Sequence, residues 1–315
     1  MARALDDGWR VCVADLRYAA VGGGSYHWMT RDGEGGRWFV TVDDLDDKPW
    51  LGDSRPTVLD GLRGALDTAL ALRREAGLRF VAAPSPALDG ETVRSLGSRY
   101  AITVFPFLEG TPGRFGEGYS ARRRGELAGM LAALHQATPT LTRAPVAGIE
   151  LPRRGALDAA LGELDRPWLG GPYGEPAREL LMRTIGQVRG LLASFDELAV
   201  GVAAQETVIT HGEPHGANFM RVGTDTMLID WDTTGLAPPE RDLWMILSDT
   251  GEELRRYTAA TGRAVDPAVL RFYRLRWALD DLSAFLARLR AARQRTADGE
   301  HAWRALQETI ASAKP

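Results

Sequence analysis

The chain has a single cysteine, Cys12, in 315 residues. That excludes an internal disulfide, and a lone thiol suits a reducing compartment. Lysine is nearly as scarce: only Lys48 and Lys314 occur among 38 basic residues, the rest being arginine. Any role that needs a lysine amine therefore has two candidates. No stretch approaches the roughly 18–20 apolar residues of a membrane span. The opening residues, MARALDDGWRVCVADL, place acids where a signal peptide needs an unbroken apolar run. A net charge of −4 and a pI near 5.8 leave no basic excess for nucleic acid or an anionic membrane. Internal repeats and low-complexity tracts are lacking too. These absences lead us to expect a cytoplasmic protein with neither a nucleic-acid nor a membrane partner; they leave its oligomeric state unset.

What is present is ordinary globular sequence, 44% hydrophobic and 25% charged, long enough to bury a large core in two lobes. The first lobe reads as β-rich with one helix. Tyr26–Thr30 and Arg37–Val42 flank the turn Asp32-Gly33-Glu34-Gly35-Gly36, which predicts a hairpin. Leu59, Leu62, Leu66, Ala69 and Leu70 come next at helical spacing, and Phe80–Ala83 and Ala101–Phe107 read as further strands. Beyond Leu108-Glu109-Gly110-Thr111-Pro112-Gly113 the pattern turns helical, with apolar faces over 127–134, 180–195 and 269–289 and a final helix around 303–310. The expected architecture is α+β: residues 1–107 as a small antiparallel lobe, 108–113 as a hinge, and 114–315 as a larger, mainly helical lobe.

The residues that carry chemistry lie in 205–243. A short apolar strand runs into His211-x-Glu213-x-x-x-x-Asn218, and a hairpin then ends on Ile229-Asp230-Trp231-Asp232. The template for phosphoryl transfer asks for a His-x-Asp loop, an Asn five residues after that Asp, and a metal-binding Asp beyond. The spacing is kept, with Glu213 in place of the first Asp. Asn218 offers an amide oxygen and Asp230 a carboxylate, both hard ligands suited to Mg2+. Glu213 is placed to accept the proton of an acceptor hydroxyl or to orient it. His211 reads more readily as a structural loop residue than as a proton carrier.

Gly22-Gly23-Gly24-Ser25 lies between two strands, the setting of a flap over nucleotide phosphates rather than of a dinucleotide fingerprint. The next strand should carry a lysine; Thr41 stands there instead. Lys48, in the loop beyond it, either swings back toward the phosphates or pairs with Asp44, Asp46 or Asp47 on the surface. Asp67 and Glu75 are the candidate acidic partners on the intervening helix. Arg122-Arg123-Arg124 and Arg153-Arg154 read as solvated faces.

The chain resembles the aminoglycoside phosphotransferase family of the protein-kinase-like fold. The resemblance rests on His211-Gly212-Glu213-Pro214-His215-Gly216-Ala217-Asn218, Ile229-Asp230-Trp231-Asp232 and Pro239-Glu240-Arg241-Asp242-Leu243. Leu131-Ala132-Ala133-Leu134-His135 is similar to the family's helix ending in Leu-His. The Asp-Trp-Asp and Pro-Glu-Arg-Asp pieces look most like the spectinomycin phosphotransferase type. The resemblance implies ATP (or GTP) bound between lobes, with Phe107 and Glu109 at the hinge, magnesium on Asn218 and Asp230, and Glu213 as catalytic base. It also implies acids for a cationic acceptor, for which Asp232, Asp280 and Asp281 are the candidates.

The short run from Asp230 to Pro239 has no space for the peptide platform of a protein kinase, so a hydroxylated small molecule is the expected acceptor. An aminoglycoside- or aminocyclitol-like natural product fits, in antibiotic resistance or in biosynthesis. Two alternatives stay open: a pseudokinase-like binding protein, suggested by Thr41 and Glu213, and a metabolic kinase for a sugar or amino alcohol.

Overall fold

In a computed structural model, residues 1–21, 24–138, 144–169, 171–248 and 250–314 are described. The chain begins with α1 (Ala2–Trp9), β1 (Val13–Ala19), β2 (Ser25–Asp32) and β3 (Arg37–Asp44). It continues through α2 (Arg55–Arg74), β4 (Arg94–Leu96), β5 (Tyr100–Pro106), β6 (Thr111–Pro112), α3 (Ala121–Gln136), α4 (Arg154–Gly162) and α5 (Gly174–Val202). Then come β7 (Val208–Thr210), β8 (Phe219–Val222), β9 (Asp225–Leu228), β10 (Gly235–Ala237), α6 (Glu240–Leu243), α7 (Glu252–Thr261), α8 (Pro267–Ala291) and α9 (Ala297–Ser312).

The chain divides into two compact units, each built from two stretches. The first comprises Met1–Ala147 and Glu206–Val265; the second comprises Gly148–Gln205 and Asp266–Pro315.

In the first unit an antiparallel sheet has the order β1-β2-β3-β5-β4. Side chains alternate between its faces with period two. Val40, Val42, Ile102 and Val104 point to one face and pack with Leu5 and Val11 into a buried cluster, so the N-terminal helix α1 is part of that core. The register pairs Ser25 with Asp43, His27 with Thr41 and Met29 with Phe39, which puts the polar pairs Ser25–Asp43 and His27–Thr41 on the opposite face. Helix α2 has a well-formed start: Ser54 caps it in a capping box with Thr57, and Pro56 sits in its first turn.

The expected strand Phe80–Ala83 is replaced by an isolated parallel bridge, Val81 to Leu228. Leu228 N donates to the Phe80 carbonyl (2.7 Å) and Ala82 N to the Leu228 carbonyl (3.0 Å). Pro84 comes at once after it and has no N–H with which to continue a ladder.

In the second unit α8 packs against α4, α5 and α9. Phe195 of α5 stacks on Phe272 of α8 with centroids 4.9 Å apart. Among the described residues no helix is long and apolar enough to cross a membrane.

Candidate active site

The catalytic-looking loop starts where β7, buried at all three residues, runs into His211. His211 is wholly buried and both ring nitrogens are committed. The Glu213 N–H donates to Nδ1 (3.2 Å), so the proton sits on Nε2 and is donated to the Ile229 carbonyl (2.9 Å). Burial pushes its pKa down to about 4, which keeps the ring neutral. Gly212 adopts φ +100°, and a Cβ there would come within 2.5–2.7 Å of Arg241 and Thr233, so this position requires glycine.

Residues Gly216–Asn218 form a 3-10 turn. The Asn218 side-chain N–H donates to the Glu213 carbonyl (2.9 Å), which commits the amide nitrogen to the loop, so that a ligand role would fall to the amide oxygen. The Ile229 N–H donates to the Asn218 carbonyl (2.9 Å), tying the loop to the segment that carries Asp230. Asp230 is the only non-glycine besides Arg10 with positive φ among the described residues, at 67°. Asp230 is exposed as a residue, but desolvation of its carboxyl by the surrounding loop, then the charges of Asp232 and Glu213, hold it well above the ordinary carboxylate range. So much negative charge around the carboxyl of one solvent-accessible residue is a setting that a divalent cation would relieve. Among the described residues no three His, Cys, Asp or Glu side chains converge as a metal cage. One amide oxygen and one or two carboxylates fit Mg2+, which keeps waters and substrate phosphates as its other ligands.

Lys48 is where the structure departs most from expectation. It is 1% exposed, not a surface lysine. Its ammonium donates to Asp232 (2.5 Å), lies 3.0 Å from Asp43, and donates to the Ser25 hydroxyl (3.2 Å). The surface reading is thus overturned: Asp44 and Asp46 are taken by Arg99 and Arg55. Burial works against the charge on Lys48, but Asp232 and Asp43 outweigh it and raise the pKa above the usual lysine range. Asp67 accepts instead from Thr92 (2.6 Å), and Glu75 caps α2. Thr41, on the strand itself, has its hydroxyl 3.2 Å from His27 Nδ1, and His27 stacks on Phe39. Because Thr41 and Asp43 share a face of β3, the ammonium of Lys48 returns to the face from which a lysine at 41 would project.

Of the glycine loop, Gly22 and Gly23 lie outside the described residues; Gly24 has φ +88° with no neighbour that a Cβ would meet. Ser25 donates to Asp43 (2.6 Å). At the expected hinge, Arg37 lies over the Phe107 ring (4.0 Å) and pairs with Glu109. In the second unit Asp280 is paired with Arg153 (3.2 Å). Burial, then the charge of Asp280, push the neighbouring Asp281 up to about 7.

The sequence pattern did not assign the anchor of the loop. Asp242, fully buried, accepts from the backbone N–H of His211 (2.8 Å) and of Gly212 (2.7 Å). Its carboxylate also meets His135 Nε2 (3.1 Å), and His135 Nδ1 meets the Tyr257 hydroxyl (2.8 Å). Burial opposes the charge on Asp242, but the bond from His135 and the nearby His135, His211 and Arg241 hold its pKa below the ordinary range. Arg241 donates to the Thr210 hydroxyl and the Thr233 carbonyl, both at 2.8 Å. The Pro-Glu-Arg-Asp string was the available signal. The arginine clusters are likewise partly structural: Arg124 pairs with buried Glu253 (2.7 Å) and Arg154 with Asp158 and Asp196.

Comparison with known proteins gives the fold and the family. Protein StrN of Streptomyces griseus is 29% identical over 274 residues, covering 82% of this chain and 79% of that one. A crystal structure of spectinomycin phosphotransferase with ADP and spectinomycin superposes with a TM-score of 0.74 at 14% identity, covering 98% of this chain and 95% of that one. An amicoumacin kinase in complex with AMP-PNP, Ca2+ and Ami gives 0.62 at 13% identity, covering 99% and 92%. The fold is α+β and protein-kinase-like. Residues 18–265, most of the chain, match the phosphotransferase enzyme family known as APH, and the protein belongs to that family.

Proposed function

We propose that the protein transfers the terminal phosphoryl group of ATP, with Mg2+, to a hydroxyl of a small molecule of the amino-sugar or aminocyclitol class. The observation that carries this is the pairing of buried Lys48 with both Asp43 and Asp232, beside Asp230 and Glu213, a concentration of acids beyond what one lysine requires. In this reading Asn218 and Asp230 hold the metal, which neutralises phosphate charge when bound. Glu213 accepts the proton of the acceptor hydroxyl as its oxygen bonds to phosphorus and the bond to the departing diphosphate breaks. His211, neutral and locked at both nitrogens, positions the loop rather than carrying the proton. Asp232 acts on the phosphate side, through Lys48. Residues 1–107 serve the nucleotide, 108–113 connect, and 114–315 supply catalysis and the acceptor, with Asp280 and Asp281 as the candidate acids for its cationic groups.

A small acceptor is supported by the segment after Asp230. Trp231 is buried, and β10 pairs antiparallel with β7, so the segment is an internal strand, not an exposed peptide platform. Adenine is supported by the nucleotides in the similar enzymes, ADP in one and AMP-PNP in the other. Cytoplasmic location and a part in resistance or biosynthesis complete the proposal.

The test is incubation with ATP, Mg2+ and a panel of hydroxylated aminocyclitols and amino sugars, with mass spectrometry for a phosphate adduct. An adduct that disappears in Asp230→Ala supports the reading. Absence of any acceptor- or water-dependent ATP turnover would favour the pseudokinase-like alternative, to which the full neutralisation of Lys48 by carboxylates lends weight.

A further inference from the structure

Lys48 has more acidic partners than its charge requires. Asp43 comes from β3, Asp232 from the loop between β9 and β10, and the Ser25 hydroxyl from the end of the glycine-rich hairpin. One cation between two carboxylates leaves an excess negative charge.

The two carboxylates are not equivalent. Asp43 is 3% exposed, sits on a strand paired on both sides, and also accepts the Ser25 hydroxyl at 2.6 Å. Asp232 is 18% exposed and comes just after the left-handed turn at Asp230. A carboxylate fixed by a strand and a second bond keeps its partner; one on a partly exposed loop, without a second bond of that kind among the described residues, has reason to exchange.

We infer that Asp43 is the positioning residue that keeps Lys48 at the phosphate face of a strand lacking its own lysine, and that Asp232 is an exchangeable latch. The inference rests on the proposed nucleotide reading. In the absence of nucleotide Asp232 masks the ammonium. When metal and nucleotide enter together, Asp232 turns to the cation beside Asp230, and Lys48 gives the freed donor to phosphate while Asp43 holds it in place. Ser25 couples this change to the hairpin. The device makes nucleotide binding dependent on the divalent ion, since nucleotide alone meets a masked lysine and unrelieved acids.

The chain's two lysines make a direct test possible. Lysine labelled with 13C at Cε and 15N at Nζ gives two side-chain signals, and Lys314→Arg identifies the one from Lys48. Addition of Mg2+ and AMP-PNP should shift the Lys48 signal and leave that of Lys314 in place, while saturable nucleotide binding is monitored by fluorescence in the same samples.

Asp232→Asn should tighten binding of metal-free nucleotide by about tenfold, the worth of one charge-assisted contact, with little gain for the Mg2+ form. Asp43→Asn should weaken the Mg2+ form by about tenfold or more. The latch is overturned if nucleotide binds yet the wild-type Lys48 signal does not move, a result that needs no variant to fold and leaves the proposed function standing. It is also overturned if the two substitutions change metal-free and Mg2+-nucleotide affinities alike. If no nucleotide binds under any condition, both the latch and the proposed function fail.

Discussion

Glu213 is the residue on which turnover depends most directly. Its backbone is held by His211 Nδ1 through its N–H and by Asn218 through its carbonyl, so the chemistry falls to its side chain. Glu213→Gln keeps the shape and removes the base, and kcat should fall by roughly 10²–10⁴ with little change in nucleotide KM. Shortening it in Glu213→Asp moves the carboxylate by about 1 Å, and kcat should change by up to ~100-fold; an unchanged rate would show that this side chain does not meet the acceptor. Lys48→Met should raise the KM for ATP, and Thr41→Lys in that background should recover part of the loss, because both positions serve one face of β3. Failure of the double variant to improve on Lys48→Met would remove Lys48 from the phosphate site. None of these geometries was settled by residue type. A lysine among Asp43, Asp44, Asp46 and Asp47 looks like a surface residue until the loop is seen to fold inward.

At the scale of elements, one carboxylate organises the catalytic loop. Asp242, at the end of the Pro-Glu-Arg-Asp string, accepts two consecutive backbone N–H groups that would otherwise be buried without partners. His135 of α3 and Tyr257 of α7 back it from behind, so two helices fix the loop through one acid. Asp242→Ala should cost about 3–5 kcal/mol in denaturant unfolding, the usual loss when one partner of a buried pair is removed. Residual kcat should also drop, whereas an unperturbed midpoint would mean that the loop stands without its anchor. The long helices were legible because each shows an extended apolar face: α5 buries Leu181, Val188, Leu191 and Phe195, and α8 buries Leu275, Leu279, Leu282 and Leu286. Helices α1, α4 and α7 were not, since each buries only two residues, too few to display a period.

For the whole molecule, one half-buried and one buried group set opposing pH dependences. Asp281 has its pKa pushed up to about 7 from 3.8, so the native state binds more protons than the unfolded chain between those values. Stability from this group therefore falls as pH rises through that window and stays reduced above it, by on the order of 3–4 kcal/mol. His211, pushed down to about 4 from 6.5, acts the other way: the unfolded chain takes up its proton first, and stability is lost as pH falls below about 6.5 toward 4. Asp281→Asn should accordingly raise the thermal midpoint at pH 8 by several degrees while changing it little near pH 4. A gain of equal size at both pH values would show that the carboxyl is not titrating in this window.

The sequence by itself determined what is local or periodic: the spacing from His211 through Asn218 to Asp230, the amphipathic helices, the hairpin of β2 and β3, and the family to which these belong. The tertiary structure decided which charges meet. Lys48 and Asp232 are 184 positions apart, and Asp242 and His135 are 107 apart. No spacing rule reaches that far, because such pairs are made by the packing of whole elements. Burial then sets their strength, since a carboxylate at a given position binds, titrates or anchors according to what surrounds it.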